Sequence, residues 1–96
     1  MIVVASKCDH GGGHDLQFET EDYAATENIM LAITASGYAG VWMDGMMKFE
    51  GNAEKVRQLL HIPEDEHPRT IIPFGKPVDE VTQKPKKPFD KRVHIL

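Results

Sequence analysis

The sequence predicts one domain of α/β or α+β type, ordered β, α, β, α, β and then an extended arm. Three observations carry this. Short β-branched runs are bounded by polar, glycine and proline residues, as strands are. Two stretches between them have helical patterning. From Lys76 onward prolines alternate with basic residues, which suits an arm and not a packed element.

Ile2 to Ala5 reads as a buried strand, because a continuous apolar run suggests that both faces are covered. A chain starting inside such a strand points to Met1 as a truncation point. After the loop SKCDHGGGHDLQFET, Thr20 is the expected N-cap, with Glu21 and Asp22 in the first turn where the helix dipole favours negative charge. The helix runs Tyr23 to Ser36, and Gly37 is its expected stop. Ala25, Ile29, Ala32 and Ile33 form one face. Met30, Leu31 and Ala35 widen it, so the helix is expected to be buried nearly all round.

Val41 to Met43 reads as a second strand. Asn52 is the expected cap of a second, amphipathic helix with Ala53, Val56, Leu59 and Leu60 on its apolar face and Glu54, Lys55, Arg57 and Gln58 opposite. HIPEDEHP ends it. Thr70 to Phe74 is the third strand, with Pro73 confining it to an edge or to its own end.

Composition bounds the function. Ninety-six residues with 41% apolar and 27% charged content describe an ordinary globular domain. A net charge of −4 argues against general nucleic-acid binding, which needs a basic surplus. The single cysteine, Cys8, rules out an internal disulfide framework and fits a reducing compartment. No apolar run reaches the roughly 20 residues that span a bilayer, and MIVVAS lacks a basic n-region. The expectation is a soluble cytoplasmic protein with neither nucleic-acid nor membrane partners.

Four features compete for a functional reading. Cys8, His10 and His14 surround a glycine run, and thiolate with imidazole can bind zinc. Zinc wants four ligands, only Asp9 or Asp15 is near, and the spacing matches no standard finger. A polar loop is the plainer account, and a phosphate cradle lacks its motif there. The second feature is GYAGVWMDGMMKFEG, residues 37–51, which holds the only tryptophan and one carboxylate, Asp44, followed by Gly45. It is either a strand end with a tight Asp-Gly turn or a place where backbone approaches a flat ligand between apolar walls. The third is the arm, a solvated tail or a phosphate-binding segment through Lys84 and Lys86. The fourth, His61 and His67 around PEDE, reads as surface histidines.

In order along the chain, a VV-rich strand, ETEDYAATENIMLAITASGYAGVWMDG, VRQLLHIPEDE, TIIPFGKP and KPKKPFDKRVHIL resemble the C-terminal half of the FMN-dependent nitroreductase family. The resemblance runs through essentially the whole chain. It implies an α+β sandwich, here partial, of a mixed sheet with flanking helices and residues 76–96 as a C-terminal arm. It also implies FMN at a homodimer interface, and reduction of nitro compounds, quinones or flavins by NAD(P)H through flavin N5. Asp44 and Gly45 match the family's acidic-Gly pair beside the isoalloxazine. Lys84 and Lys86 match its basic pair on the FMN phosphate, commonly Lys-x-Arg, so a point charge stands where a bidentate guanidinium is usual. No acid/base catalyst and no metal ligand is expected from this chain. The family's Arg-x-Ser-x-Arg and Asn/Gln flavin-binding segments would precede residue 1. The expectation is therefore half a nitroreductase, whether fragment, truncated product or part of a split protein, and a homodimer or a partner chain supplying the rest. A non-catalytic domain that oligomerises through its apolar helix, and a small metal-binding protein, are the alternatives.

Overall fold

In the computed structural model, which describes residues 1–7, 16–80, 82 and 84–96, the body is built on antiparallel pairing between segments far apart in sequence. In chain order the elements are β1 (Ile2–Lys7), α1 (Leu16–Ala35), β2 (Ala39–Gly40), α2 (Asn52–Leu59), β3 (Glu66–Ile72) and β4 (Phe74–Gly75). Single 3₁₀ turns lie at Gly45–Lys48 and Phe89–Lys91. The mixture of small sheets and helices is the expected α+β class.

β1 pairs with β3 from Ile2↔Ile72 to Lys7↔Glu66. The register shifts once: Val4 faces Thr70 and Ala5 faces Pro68, so Arg69 is the extra residue of a β-bulge. The bulge also explains how Pro68 sits inside a strand, since proline cannot donate to the ladder. The third strand therefore starts at Glu66, four residues before its expected start. It breaks at Pro73, beyond the last β1 partner, as the proline requires.

β2 pairs with β4 through Ala39↔Gly75 and Gly40↔Phe74. The ladder continues irregularly toward β3, with Val41 N–H donating to the Pro73 carbonyl and Met43 bridging Ile71. The expected strand at Val41–Met43 is thus shifted: its regular part is Ala39–Gly40, and only Met43 re-engages. Gly40 permits this close pairing. A Cβ there would meet Ile33 Cδ1, Phe74 Cβ and the Pro73 carbonyl, each at 3.4 Å.

α1 starts at Leu16, not at Thr20, because Leu16 to Thr20 contain no glycine or proline to stop it. Its end is as expected. Gly37 has φ +79°, its N–H donates to Thr34 and the Tyr38 N–H donates to Ile33, which closes the last turn. The buried stripe differs from the expected one. Asp22, Thr26 and Ile33 are buried with Ile29 and Met30 half-buried, whereas Ala25 and Ala32 are exposed and Leu31 is 59% exposed. The helix is not covered all round by this chain, since the sheet meets only the side that carries Asp22 and Thr26.

α2 is capped by Gly51 at φ +68°, and Asn52 is its first helical residue. Ala53 is buried and Val56 half-buried, but Leu59 and Leu60, expected on the buried face, are exposed. Arg57 takes their place near the body. Its guanidinium binds Glu54 through two hydrogen bonds and donates to the Ile62 carbonyl at 3.2 Å, clamping the turn into β3. Among the described residues the buried apolar ones are Ile33, Met47, Ala53, Pro68 and Ile72. The Cα radius of gyration, 16.4 Å, exceeds the roughly 12–13 Å of a compact chain this long.

Candidate functional site

The Asp44–Gly45 turn is held at both ends. Before it, Met43 exchanges two backbone hydrogen bonds with Ile71, at 3.1 and 2.9 Å, fixing the chain to the sheet. After it, Met47 is 4% exposed and anchors the 3₁₀ turn in the core. The Asp44 carbonyl accepts the Met47 N–H at 3.0 Å, and the Asn52 side chain donates to the Met46 carbonyl at 3.0 Å. Trp42 leans on Tyr23 of α1, with ring centroids 5.9 Å apart and planes inclined at 43°. Lys48 Nζ lies 3.4 Å from the Tyr23 hydroxyl and 3.9 Å from Asp44 Oδ2, so it links the turn to the helix. The Asp44–Lys48 pair has i,i+4 spacing, a signal that means little without a helix expected there. Nothing in the sequence pointed to Tyr23.

The described glycines outside the 11–13 run divide by cause. Gly37 and Gly51 need their left-handed backbone, and Gly40 needs its lack of a side chain. Gly45, like Gly75, has neither reason. Its φ is not positive, it is exposed, and a Cβ built on it meets nothing within 4 Å. The expected tight turn at Asp-Gly is present, closed by the Met47 N–H on the Asp44 carbonyl, but it does not use a positive φ at Gly45.

Lys84 and Lys86 lie on the extended segment after β4 and are exposed, with no ion pair among the described residues. No hydrogen bond or ion pair among the described residues joins them to Asp44 or Gly45. Two surface cavities lie elsewhere. One of 290 Å³ sits beside β2 and β4, and one of 620 Å³ lies between α1 and residues 77–80, lined in part by Met30, Tyr38, Val78 and Glu80. Neither is lined by the four candidate residues. Cys8, His10 and His14, with Asp9 and Asp15, lie outside the described residues. Among the described helices, none is long and apolar enough to cross a membrane.

The family model described as "Nitroreductase family" matches residues 9–76. The chain belongs to the nitroreductase family. The nitroreductase match includes Asp44 and Gly45 and ends before Lys84. Four similar proteins share the name "Putative NADH dehydrogenase/NAD(P)H nitroreductase". That of Methanothermobacter thermautotrophicus is 38% identical over 55 residues, 57% of this chain and 28% of its own length. That of Archaeoglobus fulgidus is 40% identical over 57 residues, 59% of this chain and 32% of its own length. Crystal structures of the Bacteroides thetaiotaomicron and Parabacteroides distasonis proteins superpose with TM-scores of 0.75 and 0.74 at 28% and 26% identity. Each superposition covers 96% of this chain and 52% of the other. The nitroreductase-like α+β fold is thereby shown, and this chain spans about half the length of those solved relatives.

Proposed function

We propose that this chain supplies part of an FMN site in an NAD(P)H-dependent oxidoreductase of the nitroreductase type. The observation that carries the reading is Gly45: a glycine without conformational or packing cause in its own chain, exposed at a turn fixed by Met43 and Met47. Such a position suits the close approach of a flat ring to backbone. The two exposed lysines, Lys84 and Lys86, suit a phosphate. The residues present therefore fit FMN.

The chemistry that FMN supplies in such enzymes is hydride transfer between NAD(P)H and a nitro compound, quinone or second flavin. The chain's own residues bind and orient. Gly45 leaves room for the ring edge, and Asp44, held by Lys48, sets the negative charge beside it. Trp42 packs as wall against Tyr23. Lys84 and Lys86 act as point charges on the phosphate, in the arm formed by residues 76–96. No side chain of the turn serves as a proton donor. Large exposed apolar residues, among them Leu31, Phe49, Leu59 and Phe89, support completion of the site by a second copy or a partner chain.

Native mass spectrometry of the protein as isolated, with an absorption spectrum, tests this. The reading predicts an FMN mass in an assembly of two chains, or of this chain with another polypeptide, and flavin bands. An assembly that takes up no added FMN would support the non-catalytic, oligomerising alternative instead, and a monomer without FMN would contradict both readings.

A further inference from the structure

We propose that the interface between α1 and the sheet holds internal water, in a polar site bounded by Asp22 and Thr26 on the helix and by Ser6, Arg69 and Thr70 on the strands. The inference is independent of flavin binding. Asp22 and Thr26 stand one helical turn apart and are 5% and 0% exposed, so they share one buried face. The strand register places Thr70 and Ser6 on a common side of the sheet. Val4 pairs with Thr70 and Ser6 with His67, while the bulge at Arg69 absorbs the odd residue. Arg69 bends to that same side, with Nε 3.4 Å from Ser6 Oγ and 3.7 Å from Asp22 Oδ2.

Arg69 thus joins Asp22 to Ser6, while Thr26 shares the buried helix face of Asp22 and Thr70 the sheet side of Ser6. Nevertheless Asp22 Oδ2, Thr26 Oγ1 and Thr70 Oγ1 are sealed from solvent and have no hydrogen-bond partner among the described residues. The Asp22–Arg69 separation is within ion-pair range but beyond hydrogen-bond length. Orphaned buried oxygens are rare in folded proteins, and three in one interface call for a partner. Water is the chemistry that fits, because a buried water needs two to four polar neighbours of mixed donor and acceptor type. The Arg69 guanidinium disfavours a cation in its place.

Rotating-frame water–protein NMR, together with urea unfolding of the wild type, Thr26→Val and Thr70→Val, tests the proposal. Valine keeps the shape of threonine and puts a methyl group where the hydroxyl stood. With water present, the wild type shows long-lived water cross-peaks at the amides around Asp22, Thr26 and Thr70. Each substitution then removes them and raises the unfolding constant about 5- to 30-fold, since the water's other partners are stranded. In a dry interface valine relieves an orphan, so the unfolding constant stays the same or falls and the wild type shows no such peaks; that result overturns the proposal. Water peaks that survive both substitutions lie elsewhere and overturn it too. If neither variant folds, the wild-type spectrum decides alone, with peaks supporting the site and their absence rejecting it.

Discussion

Met43 donates its N–H to the Ile71 carbonyl at 3.1 Å and accepts the Ile71 N–H at 2.9 Å, so the residue before Asp44 is locked to the sheet. The Asp44–Gly45 pair therefore leaves the body from a fixed point. A binding turn built this way needs little ordering when a ligand arrives, and it is the rigid scaffold, not the turn's own side chains, that sets its direction.

The arm is tested through the ligand's phosphate. Replacing both Lys84 and Lys86 by glutamate is expected to weaken FMN at least about tenfold more than riboflavin, which has no phosphate, because charge-assisted phosphate contacts are lost and repulsion replaces them. Parallel titrations of the two ligands into the double variant measure this. Equal losses would show that the arm does not hold the phosphate.

Acid sensitivity is expected at the start of α2. Two hydrogen bonds from Arg57 and one from Gln58 lower the Glu54 pKa from 4.5 to about 2. A carboxylate with a depressed folded-state pKa contributes stability that is fully present above about 4.5 and is lost as pH falls toward and through about 2. Because Glu54 is solvent-exposed, the contribution is screened by salt. Thermal unfolding between pH 5 and pH 2 is expected to show a steeper loss for wild type than for Glu54→Gln, the gap shrinking in high salt. Parallel curves would remove Glu54 from the account.

Assembly follows from exposure. Leu31, Phe49, Leu59 and Phe89 are 59%, 67%, 76% and 63% exposed, while among the described residues the buried apolar side chains are few: Ile33, Met47, Ala53, Pro68 and Ile72. Burying such side chains gains about 1.5–3 kcal/mol each, against a total stability of about 5–15 kcal/mol for a domain. Sedimentation of the 96-residue chain at micromolar concentration is expected to show self-association. Because it spans about half the length of its solved relatives, the 96-residue chain alone is expected to lack NADPH-dependent reduction of nitrofurazone. A stable compact monomer contradicts the first expectation, and robust turnover contradicts the second.

Much of the fold was legible because local signals and tertiary structure agree. Gly37 ends α1 by the backbone conformation that its sequence position implies, and Pro73 ends β3 where its missing N–H must. Other elements were misread where long-range pairing decides. The Arg69 bulge lets Pro68 stay in a strand, which no local rule foretells. The polar Asp22–Thr26 stripe is buried because Arg69 and Ser6 face it across the sheet, while Leu31 and Leu59 stay exposed. Asp44 and Gly45 drew notice through their odd apolar setting. Lys48 and Tyr23, which brace that turn, are brought together only by the packing of α1.

The central claim is that Gly45 is glycine for a ligand's sake. FMN titration, read by quenching of flavin fluorescence, into wild type, Gly45→Val and Gly40→Val tests it most directly. Gly40→Val is expected to destabilise the fold by about 1–3 kcal/mol, because its new side chain starts 3.4 Å from three neighbours. Gly45→Val is expected to keep the wild-type melting curve, since nothing lies within 4 Å, and to weaken FMN by at least about a hundredfold, the penalty of about 2.7 kcal/mol for a blocked approach. Undiminished FMN affinity in a folded Gly45→Val protein would contradict the account.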